Sequence, residues 1–330
     1  MSMSTIPNLV FGGASISADE GSFTNAAEVS GLLEVLKAEG INQVDTAQSY
    51  GGGTSEELIG QAEGLSDFFI DTKHIGGWAP GSSSREEIFA RAVASLTRLG
   101  LEKVNNFYIH APDPAIPLED TLAGIDDLYR AGKFNHFGLS NFHAHEVREV
   151  VRVAAEKNYV LPTVYQGNYS AIARQLEKDV LPTLRECGIA FYAYSPIAGG
   201  FLTKTTEQLT SGPKGEGRWN PQTKMGSFYH LLYGKPVFFE ALDKWNDISQ
   251  ATGIAKAALA YRWVAFHSGL DARLGDSLVI GASSLDQVKR TVAALKEGPL
   301  PETVAKQISD LWEIVKNDAV ANNFDVVRST

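Results

Sequence analysis

Three short runs decide the fold: Gly40-Ile41-Asn42-Gln43-Val44-Asp45, Phe68-Phe69-Ile70-Asp71-Thr72-Lys73 and Asn106-Phe107-Tyr108-Ile109-His110. Each is a β-rich segment that closes on a polar group: a carboxylate, an ammonium, an imidazole. Tyr50 follows just beyond the first of them. Between the runs lie amphipathic segments of helical length, so the chain reads as repeated βα units. In a parallel barrel of such units the C-terminal strand ends share one rim, where this architecture puts its chemistry. Asp45, Tyr50, Lys73 and His110 would then converge as an acid/base device.

Outward from that core, eight strands are predicted: Leu9 to Gly12, Ile41 to Asp45, Phe68 to Thr72, Asn106 to His110, Phe134 to Leu139, Thr163 to Gln166, Ile189 to Ala193 and Ser277 to Ile280. Helix starts carry capping signals at Thr54-x-x-Glu57 and Ser83-x-x-Glu86, and Pro117 opens a helix with Leu118, Leu122, Ile125 and Leu128 at helical spacing. An open doubly wound sheet gathers its ligand groups at one switch point. Here polar residues terminate nearly every strand, including Ser140-Asn141, Gln166 and Tyr194-Ser195, and a closed ring explains that better. The expected architecture is an α/β chain forming one (β/α)8 TIM barrel over residues 1–330. The long stretch Thr203 to Lys235, rich in Gly and Pro, reads as irregular and as a lid over the site.

Bulk properties narrow the function. The 330 residues carry 29 Lys and Arg against 39 Asp and Glu, a net charge of -10, which argues against nucleic acid and anionic membranes as partners. Cys187 is the single cysteine, so no internal disulfide can form, and no zinc-type Cys/His clustering calls for a metal. Without a signal-peptide pattern or a membrane-length apolar run, the expected location is the cytoplasm.

Gly51-Gly52-Gly53-Thr54-Ser55-Glu56, with Asp71 about 20 residues on, invites a dinucleotide-fingerprint reading. It fails, because Glu56 stands where the third glycine belongs and the loop starts several residues beyond the strand. The glycines read instead as a turn into a helix. Better phosphate candidates follow the last two strands: Ser195 to Leu202 with its small residues, and Gly281-Ala282-Ser283-Ser284 leading into a helix near Leu285. Gly281 and Ser284 could equally be only a turn and a cap.

Five ordered motifs, Asp45-Thr46-Ala47-x-x-Tyr50-Gly51, Lys73, Tyr108-Ile109-His110, Gly138-Leu139-Ser140-Asn141-Phe142 and Ala193-Tyr194-Ser195-Pro196, together resemble the aldo-keto reductases across almost the whole chain. Tyr108 to Asp113, Leu161 to Gly167 and Gly281 to Gln287 look most like the aflatoxin aldehyde reductase branch. The resemblance implies a catalytic tetrad of Asp45, Tyr50, Lys73 and His110. It implies that Ser140, Asn141 and Gln166 bind the nicotinamide carboxamide and that Tyr194 stacks on its ring. Ser195, Gly199, Gly200, Leu202, Lys204 and Arg218, with Gly281, Ser283, Ser284, Gln287 and Arg290, would hold the ribose and phosphates. Many relatives carry a Lys and an Arg after the eighth strand for the 2'-phosphate, where this chain has Gly281 and Gln287. The aflatoxin aldehyde reductase branch shares that pattern and is NADPH-linked, so NADPH is expected ahead of NADH. That branch also tends to have Asn in place of Tyr194. Its members form dimers, which leaves a homodimer open.

Residue chemistry gives the roles. A phenol of pKa about 10 is a poor acid near neutrality, and an adjacent Lys73 should lower that value. Asp45 would keep Lys73 charged, and a neutral His110 would orient a carbonyl substrate and stabilise the developing alkoxide. Taken singly, an Asp–Lys pair is usually a salt bridge and a strand-end His a core group; the four together point to carbonyl reduction. His74, Trp78, Trp219, Tyr229, His230 and Tyr233 are candidate pocket residues, with Trp78 and Trp219 joining Tyr50 and His110 as the substrate contacts. The alternatives are a non-catalytic nucleotide-binding barrel and a Schiff-base aldolase using Lys73; pairing with Asp45 makes Lys73 unfit as a nucleophile. The C-terminal Asn322 to Val327 either covers the site or trails in solvent.

Overall fold

A computed structural model describes residues 6–19, 21–210 and 219–328. Strands β1 (Asn8–Gly12), β2 (Gln43–Asp45), β3 (Phe69–His74), β4 (Val104–Ile109), β5 (Phe134–Ser140), β6 (Pro162–Asn168), β7 (Ala190–Tyr194) and β8 (Ser277–Ile280) form a closed barrel in sequence order. Every neighbouring pair is parallel, and β1 closes on β8 through Leu9↔Leu278 and Val10↔Val279. The expected (β/α)8 barrel is therefore what the chain adopts.

Strand alternation sets which side chains enter the lumen. Asp45 stands opposite Asp71, and Lys73 opposite Tyr108, so the polar residues of β2, β3 and β4 share one interior column. Tyr108 fits there because β5 offers Gly138: a Cβ on that glycine would lie 2.2 Å from the Tyr108 ring. Outside the barrel the helices bury apolar stripes. The helix Leu118–Arg130 buries Leu122, Ile125 and Leu128, each contributing roughly 1.5–3 kcal/mol.

Two capping expectations shift by a residue. Helix Thr54–Gly60 is capped by Gly53, and Thr54 instead donates its hydroxyl to Gly51 O at 2.9 Å. Helix Arg85–Leu99 is capped by Ser84, not Ser83, whose carbonyl accepts from Thr121. The stretch expected to be irregular after β7 holds two helices, Thr206–Thr210 and Lys224–Tyr233, because the latter has enough apolar residues to pack an aromatic face. Among the described residues no helix is long and apolar enough to cross a membrane.

Outward-facing residues of β3 fasten the next layer. Thr72 donates to Glu56 at 2.5 Å, and Glu56, fully buried, also takes Arg98 at 2.5 Å. This ties helix Thr54–Gly60 to β3, and with it the turn that carries Tyr50. His74 also points outward, its Nε2 3.2 Å from Ser83 Oγ, with Nδ1 buried and unpartnered. Burial, and then the Arg91 charge, hold its pKa down at about 4.

In the unfolded chain His74 takes up a proton from its ordinary value of 6.5 downward, while the folded protein resists until about 4. Below 6.5 the unfolded state binds more protons at this site, so the contribution of His74 to stability falls on acidification across that window, by about 3 kcal/mol in all. His74→Phe should remove this contribution. Relative to the parent, His74→Phe should gain denaturant midpoint between neutral pH and just above the folded titration point, because the groups common to both proteins cancel; a parent-to-variant difference that stays constant over that window refutes the assignment.

Candidate active site

Asp45 ends β2 and is 2% exposed; Lys73 lies within β3 and is 0% exposed. Lys73 Nζ donates to Asp45 Oδ2 at 2.5 Å and to Thr46 O at 2.8 Å, and Asp45 Oδ1 accepts from Gln166 Nε2 at 3.0 Å. Burial alone would strip the Lys73 proton, but Asp45 and Tyr50 outweigh it and raise the pKa, so the ammonium persists. Tyr50 begins the turn Tyr50–Gly53, half-buried, with the ammonium 5.1 Å from its ring centroid. That turn requires glycine at 51: φ is +56°, and a Cβ would lie 2.3 Å from Thr54 Oγ1. The glycine run is thus a turn, as its sequence indicates.

His110 follows β4, and its ring meets Tyr50 edge-on at 5.9 Å. Burial, followed by the charges of Lys73 and His74, holds its pKa well below the histidine range, so the imidazole is neutral at neutral pH. All four sequence-predicted groups converge on one rim. One electrostatic expectation is corrected: burial pushes the Tyr50 phenol above its ordinary pKa, and the Lys73 charge pulls it back only in part. The phenol accordingly keeps its proton at neutral pH, which is the form a general acid needs.

The remaining predicted residues divide. Asn141, in the left-handed region at φ +61°, donates to His110 O at 2.8 Å and to Ser140 Oγ at 3.1 Å, and accepts from Tyr194 OH at 3.0 Å. Ser140, Asn141, Gln166 and Tyr194 therefore sit together beside the tetrad. The loop after β7 runs through Ser195, Ala198, Gly199 and Gly200 with positive φ. Leu202 is fully buried and its N–H is taken by Ile197 O, so it offers no free donor. Gln287 folds back to accept from Ser283 N and Oγ, Ser284 Oγ accepts from Gln287 N, and Gly281 O accepts from Tyr261 OH. Those groups act as a cap and turn for helix Leu285–Lys296. Arg290 pairs with Asp286 at 3.0 Å on the exposed surface. Arg218 lies outside the described residues.

Among the pocket candidates, Trp78 meets His110 at 6.0 Å, Phe228 at 6.2 Å and Phe324 at 5.0 Å. Its indole N–H is buried without a partner. Trp219 is a correction: it is 2% exposed, packs on Phe201, Tyr229, His230 and Tyr233, and donates to Gly199 O. An aromatic on a loop has satisfied its apolar surface within that loop. His74, facing Ser83 outside the barrel, is likewise removed from the pocket.

Sequence reasoning missed two features and left a third open. Lys256 donates to Lys204 O at 2.9 Å, and burial and then the Lys204 charge lower its pKa, so two ammonium groups crowd beside the loop after β7. Only the topology brings residues 204 and 256 together. Phe228, in helix Lys224–Tyr233, reaches Trp78 from the far side of the undescribed segment. The C-terminal tail covers the rim: Asn168 donates to Asn323 Oδ1 at 2.8 Å, Asp325 lies 2.9 Å from His143 Nε2, and Phe324 is 4% exposed against Trp78. The alternative of a tail trailing in solvent is excluded.

The family model described as Aldo/keto reductase family matches residues 8–313 of this chain. The chain belongs to the aldo/keto reductase family. An oxidoreductase named sirO from Leptosphaeria maculans is 38% identical over 321 residues, covering 96% of each protein. Aflatoxin B1 aldehyde reductase member 2 of Rattus norvegicus is 35% identical, over 94% of this chain and 86% of that protein. Aflatoxin B1 aldehyde reductase member 4 of Homo sapiens is 36% identical, over 89% and 90%. Membership makes the chain an oxidoreductase of the carbonyl-reducing type and explains why the strand-end motifs occur in one order along the chain.

Proposed function

We propose that this aldo/keto reductase reduces aldehydes to alcohols with NADPH, using Tyr50 as the general acid. The observation that carries this reading is the Tyr50–Lys73–Asp45 array, with a neutral His110 in edge contact with the phenol. When bound, the reduced nicotinamide supplies hydride to the carbonyl carbon. Tyr50 supplies the proton to the oxygen, Lys73 stabilises the phenolate left behind, and Asp45 keeps Lys73 charged and directed inward. His110 donates a hydrogen bond that fixes the carbonyl and favours its developing negative charge.

The residues present fit a phosphorylated dinucleotide. Ser140, Asn141, Gln166 and Tyr194 would hold the nicotinamide end, beside the acid. Lys204 and Lys256 repel one another in the absence of an anion, and a phosphate would relieve that repulsion, which supports NADPH over NADH. Ser195, Gly199 and Gly200 would let backbone approach the pyrophosphate closely. Helix Lys224–Tyr233 would serve as part of a lid, with Phe228 reaching Trp78 from it. Trp78, Phe228 and Phe324 favour substrates with a flat apolar body behind the carbonyl.

Incubation with NADPH and 4-nitrobenzaldehyde or succinic semialdehyde should consume cofactor absorbance, and NADH should do so more slowly. Nucleotide binding with negligible turnover across a carbonyl panel would instead mark a non-catalytic barrel and end this reading.

A further inference from the structure

Beneath the tetrad the lumen holds a second buried carboxyl that the proposed proton transfer does not use. Asp71 lies two residues before Lys73 on β3, on the same face, and is 0% exposed. Its Oδ2 accepts from Gln43 Nε2 at 2.6 Å and Asn106 Nδ2 at 3.0 Å; its Oδ1 accepts from Asn106 N at 3.0 Å and Asn105 Nδ2 at 3.2 Å. Asn106 Nδ2 also donates to Tyr108 OH at 3.2 Å. All four donors are neutral, and no ion pair joins Asp71 to a cation among the described residues. A fully buried carboxylate served only by neutral donors is a costly way to fill space, since an apolar side chain would stabilise the barrel more.

We propose that Asp71 is a positioning residue for the acid Tyr50: its charge, felt through Lys73, sets how readily the phenol gives up its proton. The proposal rests on the reductase reading of the tetrad. The charged and titratable groups around Asp71 are Asp45 from β2, Lys73 from β3, Tyr108 from β4 and Tyr192 from β7, with Ser277 of β8 bonded to Tyr192. His110, just past β4, lies above and is neutral. Burial, then the Asp45 charge, push Asp71 up to about 7, so its charge changes around neutral pH. Ionised, it adds negative charge to a closed lumen and disfavours the phenolate; protonated, it releases that restraint. Carbonyl reduction should therefore be faster on the acid side of the Asp71 titration and slower on the alkaline side.

The test is the pH profile of kcat for reduction in the parent and in Asp71→Asn. The parent should lose about tenfold across an inflection near neutrality, the equivalent of one unit of coupling. Asp71→Asn should lose that inflection with nucleotide Kd unchanged. Gln43→Leu, which removes the shortest donor to the carboxylate, should move the inflection to higher pH. An Asp71→Asn profile superimposable on the parent's overturns the role, as does an unmoved inflection in Gln43→Leu. An activity-free readout separates this failure from failure of the reductase reading. Ultraviolet difference titration against the matched Tyr50→Phe protein isolates the phenol, and its curve should shift to lower pH in Asp71→Asn. A stationary curve overturns the proposal even if no carbonyl is turned over; a shifted curve without turnover leaves the coupling intact and removes only the reductase assignment.

Discussion

Tyr50→Phe should lower kcat for carbonyl reduction by about 10²- to 10⁴-fold, the contribution of a positioned general acid, while nucleotide affinity stays nearly unchanged. The substitution removes one hydroxyl and keeps the ring that meets His110 edge-on at 5.9 Å, so the rim need not rearrange. Among the described residues no other group at the rim can replace the lost proton. His110 is held neutral by burial and by the Lys73 charge, and Asp45 holds the Lys73 proton in place by raising its pKa. Nucleotide titration followed by single-turnover cofactor oxidation separates binding from chemistry. Turnover retained within a few-fold of the parent would remove Tyr50 as the acid and leave the geometry without its proton source.

Lys73→Met should abolish turnover and also destabilise the fold by about 3–5 kcal/mol, because it leaves Asp45 buried without its cation. Asp45 would then bind a proton at neutral pH, and Gln166 would be its remaining side-chain partner. The double variant Asp45→Asn, Lys73→Met should recover much of that stability while remaining inactive, since neither charge is left uncompensated. Urea unfolding of the two single variants and the double variant measures the coupling. Additive losses would show that the pair does not act as a unit, and an active Lys73→Met would separate the ammonium from catalysis altogether.

The sequence made the barrel and the tetrad readable for the same reason. Strand period and strand-end chemistry are local properties, and Asp45, Lys73 and His110 each close a run whose apolar alternation is visible without coordinates. Asn141 is legible because it follows the end of β5, and Gln166 because it closes the apolar run of β6, although that strand continues to Asn168. What sequence could not show depends on balances between distant groups. The sign of the Tyr50 shift turns on how much water the rim excludes. The crowding of Lys204 with Lys256 spans 52 residues and arises only when helix Lys256–His267 docks. Trp219 and Trp78 look alike as loop indoles, yet one finds its partners within its own loop and the other against His110. Asp71 resembled a ribose ligand by spacing alone, and the alternation of β3 turns it into the lumen instead.

Trp78 is met by His110 from just past β4, by Phe228 from beyond β7 and by Phe324 from the C-terminal tail. None of those three supports belongs to the ring of strands. If Trp78 lines the proposed pocket, replacing either phenylalanine should reshape what it accepts without disturbing a single barrel hydrogen bond. Natural variation in substrate preference can accumulate at the tail and the excursion after β7 while the proton-delivering machinery is inherited untouched.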